Sequence, residues 1–445
     1  MLIANRGEIA VRVIRTCRHL GIETVLTVSD ADAGSVPAAL ADRAIRIGPA
    51  SAAESYLNVE AVVGAAVAAG ADAIHPGYGF LAENPRLAQA CEAAGIVFIG
   101  PGAEVLEAAG DKLAARGHAI AAGLPVLPGG MVADAGEAHA LAGRIGYPVL
   151  VKAAGGGGGR GLRVVREPGQ LADAVAMAGA EAEAAFGDPR VYLERYASAA
   201  RHVEVQLLGD GRNVIHLGDR DCSVQRRYQK VIEEAPAPLL GETLRVSMRA
   251  AAVAFGQHLK YTGLGTVEFL VDPAREAFWF LEVNARIQVE HPVTEMVTGV
   301  DLVAEQIGVA EGRGLRLAQA GVGFAGHAIE CRINAEDPAA GFRPSPGIVT
   351  EAVFPAGPGI RVDTHVQAGS AVPAQYDSLL AKLIVTGADR TSALARLRGA
   401  LARCRIEGVA TNLPLLAALA GDAGLAAGGV DTGYLARWLE GAGRG

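Results

Sequence analysis

Short predicted strands and helices alternate along the first 106 residues, and this alternation limits the possible folds more than any other feature. The predicted strands cover residues 1–4, 23–28, 44–47, 73–75 and 97–99. Between the first two strands, apolar residues recur at helical spacing at Ile9, Val13, Cys17 and Leu20, and a further helix is predicted at residues 58–70. Alternation of this kind predicts a parallel sheet with helices on its faces.

The chain of 445 residues exceeds the size at which one hydrophobic core stops growing, so we expect two or three domains. A hinge-like stretch rich in glycine and proline at residues 122–130 marks the start of a small segment within the second domain. The expected domains are residues 1–106, residues 107–325 with the small segment at about 124–197, and residues 326–445.

Composition excludes several classes of protein. The chain is 51% hydrophobic and 20% charged, which excludes bulk disorder, and its net charge of −8 gives no reason to expect a nucleic-acid partner. The N-terminus carries charges where a signal peptide needs an apolar run, and the longest run of small apolar residues, 61–71, is too short to span a membrane. We expect a soluble protein with no membrane partner.

The five cysteines are far apart in the sequence and form no Cys-x-x-Cys pair. This pattern favours neither a disulfide framework nor a zinc site, and it predicts a reducing, cytoplasmic location. We interpret at least four of the cysteines as buried thiols. Cys222 lies near basic residues and could be reactive.

A run of glycines at 155–159 stands between a predicted strand at 147–152 and another at 162–165. A plain linker is one interpretation, but successive glycine N–H groups can also form a concave nest over phosphate groups. No Gly-Lys-Ser/Thr follows, so the run is not a Walker A loop. Lys152 at the end of the first strand favours phosphate binding, because the chain has 35 Arg and only five Lys and uses lysine sparingly.

Two predicted strands at 267–271 and 278–283 form an acidic hairpin. If its centre lies near Arg275, Glu268 faces Glu282 across the ladder and Asn284 lies on the same face. Unless something compensates them, the two carboxylates repel each other, and Mg²⁺ bridging phosphate oxygens would remove that cost. The alternative is an ordinary solvent-exposed acidic face.

The polar alternation of the second strand continues through Arg286, Gln288 and Glu290. A surface strand needs no such ordered series, and we therefore predict that the whole segment 282–290 is one continuous strand lined with functional groups.

Segments 147–161 and 280–287 resemble the paired signatures shared by biotin carboxylases and carbamoyl-phosphate synthetases, both of which have the ATP-grasp fold. Three further segments, 75–84, 220–230 and 286–295, resemble biotin carboxylase specifically, and the likeness extends from residue 1 to residue 445. The resemblance implies a mixed α/β and α+β protein: a Rossmann-like parallel-sheet domain, an ATP-grasp domain with a mobile glycine-rich lid, and a C-terminal biotin carboxylase domain.

The resemblance also implies a nucleotide and metal site. The groups that would hold the ATP phosphates are Lys112, Lys152, Gly158 and Gly159. The adenine pocket would be lined, largely through backbone, by Glu194, Arg195, Tyr196 and Ala197, with His202 and Tyr228 beside the nucleotide. The Mg²⁺ (or Mn²⁺) ligands would be Glu268, Glu282 and Asn284, the two glutamates also contacting ATP. Many family members have histidine where this chain has Tyr228, which would offer a stacking ring or a hydroxyl contact in its place.

Bicarbonate and biotin would occupy the neighbouring positions. The bicarbonate-binding residues implied by the resemblance are Lys230, Arg286, Gln288 and Val289, with Glu290 as the base that deprotonates the substrate. Arg332 would steady the biotin enolate, and Tyr78 would contact biotin. Bicarbonate is a poor nucleophile, so a carboxylate base beside two cations suits its attack on the γ-phosphate.

The implied reaction converts ATP, bicarbonate and carrier-bound biotin into ADP, phosphate and carboxybiotin. The alternatives are another ATP-grasp ligase of the carbamoyl-phosphate synthetase type, and a catalytically inactive nucleotide-binding scaffold within a carboxylase complex. No Met-Lys-Met biotinylation sequence is present, so the biotin carboxyl carrier is expected on another chain or beyond this one. A carboxyltransferase partner and a homodimer are implied too. The final acceptor is left open among acetyl-CoA (as in fatty acid biosynthesis), propionyl-CoA, another acyl-CoA, pyruvate and urea.

Overall fold

A computed structural model describes residues 1–153, 162–187 and 189–442. The first elements are β1 (Leu2–Ile3), α1 (Gly7–His19), β2 (Val25–Ser29), α2 (Val36–Leu40), β3 (Arg43–Gly48), α3 (Val59–Ala69), β4 (Ala73–His75), α4 (Pro85–Ala93), β5 (Val97–Phe98) and α5 (Ala103–Gly110). The sheet has the order β3-β2-β1-β4-β5, and every neighbouring pair is parallel. The five predicted strands, the helix at 58–70 and the parallel sheet are confirmed.

Helix α1 packs one apolar face onto this sheet. Ile9, Val13 and Cys17 are buried in the same core as Leu26 of β2. Leu20 is 39% exposed, because the helix ends at His19, and its inclusion in the apolar face was therefore wrong.

Helix α6 (Lys112–Ala121) follows, and its Ala115 and Ala119 are buried in the same core as Phe255 and Phe269. The next elements form a small antiparallel unit with its own core. They are β6 (Gly129–Val132), α7 (Ala135–Ile145), β7 (Val149–Ala153), β8 (Arg163–Val165), α8 (Leu171–Phe186) and β9 (Val191–Arg195). The strand order is β6-β9-β7-β8, and α7 and α8 pack against the sheet around Ala138, Val151 and Ala178. The strands predicted on either side of the glycine run are confirmed, but the run itself lies outside the described residues.

The rest of the chain is organised by a large antiparallel sheet. Its elements begin with β10 (Arg201–Asp210), β11 (Val214–Arg226), β12 (Gln229–Ala235), α9 (Glu242–His258), β13 (Thr262–Asp272), β14 (Ala277–Asn284), α10 (His291–Thr298) and α11 (Leu302–Ala310). They continue with β15 (His327–Asn334), β16 (Glu336–Asp337), β17 (Arg343–Pro344), β18 (Gly347–Ile348), β19 (Glu351–Val353), β20 (Ile360–Thr364), β21 (Ala371–Val372), β22 (Leu379–Gly387), α12 (Arg390–Leu401), β23 (Arg405–Glu407), α13 (Leu413–Gly421), α14 (Ala423–Ala427) and α15 (Tyr434–Ala442).

Eight of these strands form one sheet in the order β14-β13-β10-β11-β12-β15-β22-β20. The sheet crosses the expected boundary near residue 326, because β12 pairs with β15 through the ladder from Ile232↔Cys331 to Ala235↔Ala328. The fold therefore combines a parallel α/β sheet with antiparallel sheets, as the sequence predicts.

The acidic hairpin is present, and Glu268 of β13 pairs directly with Glu282 of β14 as predicted. The prediction of one continuous strand through residue 290 is wrong, because β14 ends at Asn284. The Glu83 side chain accepts from the Ala285 backbone N–H at 2.8 Å and takes the place of a ladder partner. Residues 285–290 are irregular, and α10 then begins at His291.

Two smaller predictions concern the cysteines and the membrane. All five cysteines lie in the described ranges as free thiols, four of them buried, and burial raises the pKa of the Cys222 thiol well above its ordinary value. The interpretation of Cys222 as an inert core thiol is thus the better one. Within the described ranges, no helix combines the length and apolar character needed to cross a bilayer.

The aromatic core packed against the hairpin leads to a prediction about the stability of the fold. Phe269 of β13 is fully buried and meets the partly buried Phe278 edge-on, with ring centroids 5.3 Å apart. Replacing Phe269 by alanine leaves a cavity and should cost about 3–5 kcal/mol, which thermal unfolding would register as a fall in Tm. Phe278→Ala is the matched control with a smaller expected fall. An equal or larger fall in the control would contradict this view of the core.

Candidate active site

A cavity of about 740 Å³ lies where the large sheet meets the small antiparallel unit and the first parallel sheet. Within the described ranges, every predicted site residue except Glu290 lines this cavity, and Gly158 and Gly159 fall outside those ranges. The lining residues that the sequence predicts are Tyr78, Lys112, Lys152, Glu194, Arg195, Tyr196, Ala197, His202, Tyr228, Lys230, Glu268, Glu282, Asn284, Arg286, Gln288, Val289 and Arg332.

The Lys230 ammonium on β12 is the centre of a buried ionic cluster. It donates to Glu204 Oε2 at 2.6 Å, Glu268 Oε1 at 2.9 Å and Glu290 Oε1 at 2.6 Å. Burial disfavours its charge, but the surrounding anionic groups outweigh burial and raise the pKa of Lys230 well above its ordinary value. The ammonium is therefore a fixed positive charge at the cavity wall.

Glu290 lies immediately behind the wall and is completely buried. Its second oxygen accepts from Arg332 Nη2 at 2.8 Å, so the carboxylate sits between two cations. Burial alone would raise the pKa of Glu290, but Lys230, Arg332 and Arg220 hold it well below the usual range. This carboxylate stays ionised at neutral pH and can accept a proton.

Arg220 of β11 supports the cluster from within the sheet, and sequence reasoning assigned it no role. Its fully buried guanidinium donates to Glu204 Oε1 at 2.5 Å and to Gln206 Oε1 at 2.7 Å. It also donates to the hydroxyls of Thr266 and Thr294, so each of the three guanidinium nitrogens makes a hydrogen bond. Arg220 lies within the segment 220–230 that carries the family resemblance.

The acidic hairpin presents its carboxylates to the cavity. Glu268 Oε1 accepts from Asn284 Nδ2 at 3.0 Å and from Gln288 Nε2 at 3.2 Å, and His202 Nε2 lies 2.8 Å from Glu268 Oε2. Burial would raise the pKa of Glu268, but Lys230 and His202 hold it well below its usual range. Glu282 is partly exposed, with Lys112 Nζ at 3.7 Å.

These donors fit a divalent cation. Glu268, Glu282 and Asn284 offer oxygen atoms at the end of one hairpin and face one cavity, and such oxygens are what Mg²⁺ prefers. Two other groups of potential ligand side chains occur in the described part of the chain, formed by His202, Glu204 and Glu268 and by Glu204, Cys222 and Glu290. Glu204 belongs to both groups, is completely buried and does not line the cavity, whereas Glu268, Glu282 and Asn284 all line it, so the hairpin is the better candidate.

The irregular segment after β14 is held by a residue that sequence reasoning did not single out. Glu83 accepts from Arg286 Nε at 2.8 Å and from the Ala285 backbone at 2.8 Å. Arg286 in turn donates to Asn284 Oδ1 and to Gln288 Oε1, each at 3.0 Å. The signal for Glu83 is its place in the segment 75–84 that resembles the family.

The opposite end of the cavity combines apolar and basic groups. Lys152 Nζ lies 2.9 Å from Glu194 Oε1, and Tyr228 protrudes from the turn between β11 and β12 with a positive φ of 67°. Side chains that sequence reasoning missed here are Leu127, Leu150, Leu270, Leu281 and Thr432. Four of them are leucines, whose apolar surface suits a nucleobase.

The last predicted residue, Tyr78, lies on the side of the cavity near Arg332. Its hydroxyl donates to the carboxylate of Glu8, which also lines the cavity. Glu233 Oε1 accepts from Arg332 Nε and fixes the guanidinium from behind. Arg332 is thus held between two buried carboxylates, those of Glu233 and Glu290.

Comparison with known proteins identifies the family of the chain. Residues 1–106 match the family model "Biotin carboxylase, N-terminal domain", and residues 330–437 match "Biotin carboxylase C-terminal domain". Residues 111–318 match "Carbamoyl-phosphate synthase L chain, ATP binding domain". Together the three models account for most of the chain.

The similar proteins include the biotin carboxylase of Pseudomonas aeruginosa, which is 51% identical over 99% of this chain and 98% of its own. A pyruvate carboxylase subunit of Methanothermobacter thermautotrophicus is 48% identical over 99% of this chain and 90% of its own. The biotin carboxylase domain dimer of Hydrogenobacter thermophilus 2-oxoglutarate carboxylase, solved with MgADP, ADP and bicarbonate, matches with a TM-score of 0.93. It is 46% identical and covers 98% of this chain and 96% of its own. The chain belongs to the biotin carboxylase family.

Proposed function

We propose that the protein carboxylates carrier-bound biotin at the expense of ATP and bicarbonate. The observation that carries the proposal is Glu290, an ionised and buried carboxylate held between Lys230 and Arg332, both of which line the cavity. A structural scaffold would have no need to bury this cluster, since burying paired charges is costly for stability.

ATP would bind with its base against the apolar end of the cavity and its phosphates towards the hairpin. Lys112 and Lys152 supply positive charge along that path, and Gly158 and Gly159 are proposed to cover the phosphates. Glu268, Glu282 and Asn284 would hold the Mg²⁺ (or Mn²⁺). When bound, the cation would neutralise phosphate charge and orient the γ-phosphate.

Bicarbonate would bind between Lys230, Arg286 and the segment 288–289. Glu290 takes its proton while the bicarbonate oxygen forms a bond to the γ-phosphorus, and the bond from that phosphorus to the β-bridging oxygen breaks to release ADP. The two cations beside Glu290 stabilise the anions before and after transfer. The product is carboxyphosphate, which a closed cavity would protect from water.

Biotin would then enter on the side of Tyr78 and Arg332. As its ureido nitrogen forms a bond to the carboxyl carbon, the bond from that carbon to the phosphate oxygen breaks, and the released phosphate takes up the nitrogen's proton. The negative charge that develops on the ureido oxygen needs a fixed cation. Arg332 is held by Glu233 and Glu290 and is suited to that role.

The wider setting is also proposed. The enzyme would work with a biotin carboxyl carrier and a carboxyltransferase, as a homodimer in the cytoplasm, where five free thiols are stable. Similar proteins are named for pyruvate and 2-oxoglutarate, so the final acceptor depends on the partner. Acetyl-CoA, with a place in fatty acid biosynthesis, is one such acceptor.

The proposed reaction predicts biotin-dependent turnover. With MgATP and bicarbonate present, free biotin should raise the rate of phosphate release several-fold above the basal rate, because it consumes the carboxyl intermediate productively. Omitting bicarbonate is the control and should remove the stimulation. If biotin did not raise the rate of phosphate release, the result would favour the alternative that the protein is a catalytically inactive, nucleotide-binding scaffold.

The Glu290→Gln variant tests the base. Because the amide cannot accept the proton, bicarbonate-dependent turnover should fall by about 10²–10⁴-fold while the Kd for ATP stays within about threefold. Isothermal titration and phosphate release measure the two quantities. Glu242→Gln, at an exposed position that begins α9, is the matched control. Loss of ATP binding in Glu290→Gln would show that the residue serves the nucleotide instead.

Tyr228 tests the nucleotide end of the cavity. If its ring stacks on the nucleotide, Tyr228→Ala should raise the KM for ATP about fivefold or more, since stacking on an aromatic ring is worth roughly 1–3 kcal/mol. Tyr228→His keeps an aromatic ring, and histidine tolerates the left-handed backbone conformation of this residue. This variant should therefore raise the KM for ATP less than Tyr228→Ala does. An unchanged KM for ATP in Tyr228→Ala would show that Tyr228 does not contact the nucleotide.

A further inference from the structure

Lys382 is one of only five lysines in the chain, and the proposed reaction assigns it no role. It lies on β22 with its side chain completely buried. A buried ammonium is costly unless nearby groups compensate it, so its contacts should explain its presence.

The contacts of Lys382 reach the back of two walls of the active-site cavity. Its Nζ donates to the backbone carbonyl of Val289 at 2.8 Å and lies 3.1 Å from Glu8 Oε1. Val289 belongs to the segment proposed to bind bicarbonate, and Glu8 holds the hydroxyl of Tyr78. A single ammonium therefore joins the bicarbonate wall to the Tyr78 wall.

The sheet register places Lys382 beside Arg332. The two residues are direct partners across the β15–β22 ladder, and partners of this kind project from the same face. Arg332 holds the Glu290 carboxylate at 2.8 Å while Lys382 holds the carbonyl of the preceding residue, Val289, at 2.8 Å. Two neighbouring strands thus fix the dipeptide 289–290, one through its side chain and the other through its backbone.

An ammonium suits this position better than a guanidinium. It is a compact donor with three N–H groups, and it reaches a carbonyl and a carboxylate that lie in different directions. Asp363, the partner of Lys382 on β20, adds a third oxygen at 3.9 Å. In a chain with 35 Arg and five Lys, lysine at this buried point is consistent with a geometric requirement.

We propose that Lys382 is a positioning residue for catalysis, which sets the bicarbonate-binding backbone through Val289 and couples it to the biotin side through Glu8 and Tyr78. It acts through other residues, since its ammonium lies behind Val289 and Glu8 and bonds to their oxygens. Its removal should weaken bicarbonate use selectively and leave the distant nucleotide end intact. The inference rests on the proposed function.

Removing the ammonium also takes a compensating charge away from two buried carboxyl groups. Glu8 and Glu330 are both buried, and the two Glu330 oxygens have no hydrogen-bond partner within the described part of the chain. Burial raises the pKa of each of these two groups, and Lys382 opposes the rise. Lys382→Met is therefore expected to lower the Tm, and a charge-balanced Glu8→Gln/Lys382→Met variant separates this effect from positioning.

Lys382→Met should raise the KM for bicarbonate about tenfold and leave the KM for ATP within about twofold, measured by biotin-stimulated phosphate release. The double variant should regain much of the lost Tm but keep a bicarbonate KM well above that of Glu8→Gln alone. Lys260→Met, at an exposed lysine outside the cavity, is the matched control and should match the wild type. The proposal would be overturned if the double variant had the same KM for bicarbonate as Glu8→Gln alone. It would also be overturned if Lys382→Met raised the KM for ATP as much as the KM for bicarbonate.

Lys382→Arg keeps the charge and covers the case in which Lys382→Met does not fold. The planar guanidinium of arginine cannot place a donor where the lysine ammonium lies, so the KM of this variant for bicarbonate should also rise selectively. A bicarbonate KM equal to that of the wild type would overturn the proposal. Biotin-stimulated turnover of the wild type is measured in the same assay. Its absence would count against the proposed function itself, whereas wild-type turnover together with unchanged bicarbonate KM values in the variants would count against the positioning role alone.

Discussion

The salt bridge between Lys230 and Glu290 is the interaction on which the rest of the site depends. Three carboxylates converge on one ammonium, from β10, β13 and the segment after β14. Without that charge, their mutual repulsion in a buried environment would separate the strands that carry them. The cluster therefore both holds the large sheet together at its centre and keeps Glu290 ionised.

Charge balance in the cluster also explains its chemistry. Arg220 and Arg332 bring the number of cations to three, against the four carboxylates of Glu204, Glu233, Glu268 and Glu290. A proton arriving on Glu290 would remove the negative charge held between Lys230 and Arg332, and these two cations could then attract an anion in the adjoining cavity. Proton transfer and the presence of an anionic substrate are thereby linked in a single electrostatic requirement.

The sequence predicted those parts of the fold and site that depend on local periodicity. The register Glu268↔Glu282 followed from the two-residue period of a strand and the position of its turn, and the parallel sheet followed from alternation. The path of residues 285–290 did not follow, because it is set by Glu83, which lies 203 positions from Arg286 in the chain. Lys382 acts on Val289 across 93 positions, and no short-range pattern reports such a contact.

The continuous eight-stranded sheet has a consequence for exchanging parts between related enzymes. It carries Glu268 and Glu282 at one side, Lys230 in the middle and Arg332 and Lys382 at the other, and β12–β15 hydrogen bonds join the halves. A chimera joined near residue 326 would thus pair two strands that had not evolved together. The small unit of β6–β9 has its own core and is the natural unit for a swap. Such a swap would exchange Lys152 of β7 and Glu194 of β9 and leave Lys230 and Arg332 in their own sheet.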